Sequence, residues 1–161
     1  MTEIEIGRAK RARRAYSFDD VAVVPSRRTR DTDCVSLNWT IDASKFEIPV
    51  LAAPMDSVVS PKTAITIGKL GRVGVLNLEG LWTRYDKPES IIERIRELPV
   101  DTATAEMQKI YAEPIKPELI KQRLAEIRDA GVPVAGALSP QRTAEFHDVV
   151  VKSGVDLFVI R

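Results

Sequence analysis

Four short apolar runs constrain this chain most: Val50–Met55 (VLAAPM), Val73–Leu78 (VGVLNL), Val132–Leu138 (VPVAGAL) and Val155–Ile160 (VDLFVI). Each has the length of a strand, and none alternates cleanly between apolar and polar. That is how strands covered on both faces of a parallel sheet read. The stretches between them carry helix punctuation. Ser60-Pro61 and Ser139-Pro140 place a capping hydroxyl before a proline at the first helical position, and Gly71, Gly131 and Gly154 stand where a helix would stop. Ile91, Ile95 and Leu98 form one apolar stripe at helical spacing, and Ile120, Leu124 and Ile127 form another. The first and second runs begin 23 residues apart, as do the third and fourth, which is the period of a βα repeat. The second and third begin 59 apart, so 36 residues are in excess there. Helices are predicted over 88–98 and 117–130, with a polar connector from Pro99 to Lys116 that the pattern leaves unassigned.

Composition bounds the rest. The chain has 161 residues, 44% of them apolar, enough for one core without metal or disulfide staples. Its net charge is +1, which argues against a protein that coats polyanions through bulk charge. A single cysteine excludes an internal disulfide framework and suits a reducing cytoplasm. No apolar run approaches the ~18 residues of a membrane span, so neither a membrane nor a nucleic acid is expected as a partner.

Residues 1–48 stand outside the repeat. They comprise a basic arm, an apolar Val21–Pro25 segment, arginines at Arg27, Arg28 and Arg30, and a possible hairpin strand around Val35–Ile41. A parallel sheet that stops at Arg161, with no helix over its fourth strand, would carry a raw edge. The pattern therefore predicts the N-terminal half of a (βα)8 TIM barrel, whose complete form needs about 250 residues. The expected organisation is an N-terminal arm and barrel-bottom segment over 1–48, then strands 1 to 4 over 49–161 with a short insertion at about 99–116. Such a piece by itself is expected to be inactive and aggregation-prone.

Three phrases in register carry a family likeness: YSFDDVAVVP (Tyr16–Pro25), IPVLAAPMDSV (Ile48–Val58) and LGRVGVLNLEG (Leu70–Gly80). They resemble the opening of the IMP dehydrogenase and GMP reductase family, and GALSPQRTAEFHDVVVKSGVDLFVIR is similar to its third strand, third helix and fourth strand. The detail is most similar to the IMP-dehydrogenase-related subfamily without the regulatory domain pair. Two such modules need on the order of 100 residues, and 36 cannot hold them. The resemblance implies a purine-nucleotide oxidoreductase acting on IMP or GMP with NAD or NADP, cytoplasmic, and a homo-oligomer of four or more subunits. It implies that Ala53 and Met55 touch the nucleotide, that Asp56 orients a neighbouring arginine or sugar hydroxyl, and that Asn77 lies beside the cofactor. Many members have Ser where Ala53 stands, and the dehydrogenases commonly have a His-bearing phrase at Asn77-Leu78-Glu79 and an Asp at Arg161. The family's nucleophilic loop cysteine belongs to the second half of the barrel. Cys34 precedes the first strand, so no catalytic residue and no metal ligand is assigned within this chain.

Three readings stay open: conversion of IMP to XMP with NAD, the reductive conversion of GMP to IMP with NADPH, and nucleotide binding without catalysis. The remaining motifs read as structure. GKLGRVG (Gly68–Gly74) joins a helix to a strand, the wrong order for a phosphate loop. His147 reads as a solvated helix histidine, Trp39 and Trp82 as scattered aromatics, and the basic arm as a solvated or subunit-contact segment rather than a nucleic-acid site.

Overall fold

The computed structural model describes residues 3–8, 10–25, 30–41 and 44–161. The chain divides into two compact units, residues 1–36 and Leu37–Arg161. In the first, β1 (Glu3–Gly7) pairs antiparallel with β2 (Lys10–Arg13), so the basic arm is a hairpin whose register sets Glu5 opposite Arg11. Beyond it, Ser17 caps a 3-10 turn over Phe18–Asp20: its backbone N–H and its hydroxyl donate to Asp20 Oδ2 at 3.0 and 2.9 Å. Those bonds hold the Asp20 carboxyl below the ordinary range. Val21–Pro25 is exposed and outside any helix or strand, and Arg27 and Arg28 lie outside the described residues.

The second unit opens with a short hairpin, β3 (Trp39–Ile41) against β4 (Ser44–Phe46). A four-stranded sheet follows, in the order β5 (Leu51–Ala52), β6 (Val73–Asn77), β7 (Ala135–Leu138), β8 (Leu157–Ile160), with every neighbouring pair parallel. All four predicted strands are present, each shorter than its apolar run. The first shrinks to two residues, with Pro54, which has no N–H to donate to a ladder, following it closely. β6 and β7 are buried at every position, and both faces are covered. On one face Leu76, Leu78, Val134 and Leu138 pack with Ile120, Leu124, Ile127, Phe146 and Val150 from the helices. On the other, Val73, Val75, Ala135 and Ala137 meet Phe46, with Trp39 and Ile41 beside it, so the hairpin covers that face.

The helices are α1 (Pro61–Lys69), α2 (Pro88–Arg96), α3 (Val100–Ala112), α4 (Pro117–Asp129) and α5 (Pro140–Lys152). Ser60 Oγ accepts from Thr63 N at 3.0 Å and Ser139 Oγ from Arg142 N at 3.4 Å, which realises both predicted caps. Gly71, Gly131 and Gly154 follow α1, α4 and α5 with φ of 73°, 72° and 72°, the left-handed turn that ends a helix. Gly74 lets α1 lie close on β6, since a Cβ there would sit 2.8 Å from Ala64 Cα. The unassigned connector holds α3, a 13-residue helix. Among the described residues no helix is long and apolar enough to cross a membrane.

Candidate functional site

Because the strands are parallel, their C-terminal ends emerge on one side, and the residues just beyond them meet. The loop after β5 carries Met55 and Asp56, β6 ends at Asn77, and Arg161 follows β8. These four side chains, with Leu81, Ile92, Met107 and Tyr111, line a mostly apolar cleft of about 420 Å³.

Strand alternation aims two polar groups into it. Val73 and Val75 face the hairpin side of the sheet, and Asn77 continues that row; Leu157 and Val159 do the same in β8, with Arg161 next. The Arg161 guanidinium donates to Asn77 Oδ1 at 2.8 Å and to the Pro54 carbonyl at 3.3 Å. Asn77 Oδ1 also accepts from Glu79 N at 3.1 Å. Glu79 is drawn away from the cleft: its Oε1 accepts from Ser139 N, and Arg84 Nε donates to its carbonyl at 3.1 Å. Burial, then the neighbouring Arg142, pulls the Arg84 guanidinium below its ordinary value.

Asp56 serves the protein frame. Its Oδ2 accepts from Leu81 N at 3.0 Å and from the Tyr111 hydroxyl at 2.7 Å, while Oδ1 is buried without a hydrogen-bond partner. The carboxylate packs on Gly80, where an added Cβ would sit 1.9 Å from Oδ1. Burial, then the bond to Asp56, pushes the Tyr111 hydroxyl above its ordinary value. Helix α3 is tied down independently by Tyr85, whose hydroxyl donates to the Ile110 carbonyl at 2.8 Å.

Of the residues expected at the site, Met55, Asp56 and Asn77 come together, whereas Ala53 is exposed and does not line the cleft. Met55 is 52% exposed, its thioether open to a ligand. No motif marks Tyr111 or Met107. Ala103, Met107, Ile110 and Tyr111 do follow helical spacing, the one sequence signal for α3. Cys34 is exposed in a 3-10 turn of the first unit. His147 lies exposed on α5, beside Asp148 Oδ1 at 3.4 Å and the Thr143 carbonyl at 3.2 Å. Among the described residues no three His, Cys, Asp or Glu side chains gather as a metal site would need. The cleft can bind and orient a flat, partly polar molecule, and none of its lining side chains is a thiol or an imidazole.

Known proteins with the same sequence pattern add to this geometry. A family model described as the IMP dehydrogenase / GMP reductase domain matches residues 15–161. An uncharacterized oxidoreductase of Mycolicibacterium smegmatis is 43% identical over 98% of this chain, as is one from Mycobacterium tuberculosis, and in each the match takes up 44% of the relative. The chain thus spans less than half the length of these curated relatives. The inosine-5'-monophosphate dehydrogenase of Methanocaldococcus jannaschii is 33% identical over 41% of this chain and 13% of its own. A crystal structure of an IMP dehydrogenase/GMP reductase-like protein from Corynebacterium glutamicum superposes with a TM-score of 0.83 at 42% identity, covering 99% of this chain and 44% of that one. With the strand order, the cleft and this match over nearly its whole length, the chain belongs to the IMP dehydrogenase / GMP reductase family.

Proposed function

We propose that the native polypeptide carrying these residues is a purine-nucleotide oxidoreductase of the IMP dehydrogenase type, converting IMP to XMP with NAD. These 161 residues would be the first half of a (βα)8 barrel and one wall of its nucleotide site. The observation that carries the reading is the meeting of Met55, Asn77 and Arg161, from three separate strand ends, at one cleft. Ligand-binding groups of barrel enzymes sit at that end of the strands.

The residues present fit part of a nucleotide and of a nicotinamide cofactor. Met55 offers a polarizable surface to a purine ring, and Asn77 and Arg161 offer polar contact in the cleft. Asp56 would act through the loop it holds. When bound, the nicotinamide supplies the hydride acceptor, or the donor in the reductase direction. The side chains of this half bind and orient, and the segment alone would show no turnover. A cytoplasmic location and a homo-oligomer of four or more subunits belong to the same reading.

The test assays the native polypeptide with IMP plus NAD and with GMP plus NADPH, following nicotinamide absorbance, and measures IMP and GMP binding by calorimetry. Turnover of IMP with NAD is the expected result. Turnover of GMP with NADPH would make the protein a reductase. Binding without turnover would make it a non-catalytic relative, and neither binding nor turnover would end the nucleotide reading.

A further inference from the structure

Helix α3 lies within the 36 residues that exceed the repeat, and it contributes Met107 and Tyr111 to the cleft. Tyr111 reaches 55 residues back along the chain to Asp56, which stands next to Met55 and also holds the Leu81 backbone. Three segments of distant sequence are therefore joined at one carboxylate: the loop after β5, the turn after β6, and the helix of the insertion. The joint has little slack. The carboxylate lies so close to Gly80 that a Cβ there would overlap Oδ1, and that oxygen has no hydrogen-bond donor of its own. With one oxygen unpartnered, the carboxylate depends on the two donors at Oδ2, and loss of either would leave buried charge poorly paired.

Resting on the functional reading above, we propose that Tyr111 is a positioning residue for the purine nucleotide: through Asp56 it sets the loop that presents Met55 to the base, while Met107 of α3 lines the same cleft. The insertion then has a role in recognising substrate, beside Ile92, Ile95 and Arg96, which α2 brings to the same cleft. Tyr111 acts through Asp56 and Met55, and its own ring borders the same space as Met107.

Tyr85 provides the comparison that separates positioning from mere support. Its hydroxyl also anchors α3, one residue before Tyr111, without touching Asp56. Tyr111→Phe and Tyr85→Phe each delete one hydroxyl from the same helix anchor. In the native polypeptide, Tyr111→Phe is expected to raise KM for the nucleotide, and its Kd for IMP or GMP by calorimetry, about tenfold, with kcat changed less than threefold. Tyr85→Phe is expected to lower the unfolding midpoint to a similar degree and to leave KM within twofold. A Tyr111→Phe protein with unchanged nucleotide affinity would overturn the proposal while leaving the functional reading intact, and so would equal KM shifts in the two variants. A wild-type protein that binds neither IMP nor GMP would overturn both.

Discussion

Arg161 and Asn77 are hydrogen-bonded at 2.8 Å from the ends of two strands that are not neighbours in the sheet. Strand β7 runs between them, and the register sets Asn77 beside Ala137 and Ala137 beside Val159. A small side chain at Ala137 leaves the path open, so the guanidinium can cross β7 to the amide.

Ala137→Leu is therefore expected to do two things. It crowds a face where Ala137 is fully buried among Val73, Val75 and Ala135, at a cost of about 1–3 kcal/mol. It also stands between Asn77 and Arg161. Urea denaturation measures the first effect; an unchanged midpoint would mean that this face of the sheet is not packed as described.

Gly80→Ala pushes a methyl group into the Asp56 carboxylate, 1.9 Å from Oδ1 before relaxation. The expected loss is about 1–3 kcal/mol. The two sites are coupled, so the same substitution made on an Asp56→Ala background should cost distinctly less. A double-mutant cycle by chemical denaturation reads the difference, and strict additivity would show that the two groups do not meet.

Arg123 is 9% exposed on α4 and donates to the Trp82 carbonyl at 3.2 Å and the Asp86 carbonyl at 2.9 Å, with its guanidinium 5.9 Å from the Trp82 ring centre. Arg123→Met keeps much of the bulk and leaves two carbonyls without their charged donor. A loss of about 1.5–3 kcal/mol is expected, together with a red shift of Trp82 emission as the turn after β6 loosens. Emission and stability identical to wild type would contradict the contact.

Tyr111 makes stability fall in alkali. Its ordinary value is 10.0 and its folded value is higher, because burial and the Asp56 carboxylate both resist a phenolate. The folded state then holds the proton more tightly than the unfolded chain. This contribution is fully present below pH 10 and is lost as pH rises beyond it toward the folded value. Thermal melts at pH 8.5 and 10.5 should show a larger drop for wild type than for Tyr111→Phe. Parallel drops would mean that the hydroxyl is not held by the carboxylate.

The layout of the sheet was legible because its signals are local. Two 23-residue repeats, serine-proline starts and glycine stops mark strand and helix ends, and each works through backbone geometry within a few residues. The run at Val50–Met55 promised a longer strand than Leu51–Ala52, since an apolar run does not show where ladder pairing stops short of Pro54. The helix over Val100–Ala112 was obscured because, although seven of its 13 residues are apolar, it buries Ile110 alone, so its apolar spacing had no visible partner. Its apolar positions make sense only against the surface they meet.

The amino-acid sequence by itself determined the βα order, the caps, the strand motif containing Met55 and Asp56, and the family. Tertiary structure alone decided that Tyr111 reaches Asp56, that Arg161 reaches Asn77, and that Ala53 stays outside the cleft where Met55 opens into it. Caps and periods depend on neighbours three or four residues away, which any reader of the chain can count. The site depends on hydrogen bonds between residues 55 and 84 positions apart, whose partners are chosen only once the sheet has brought the strand ends together.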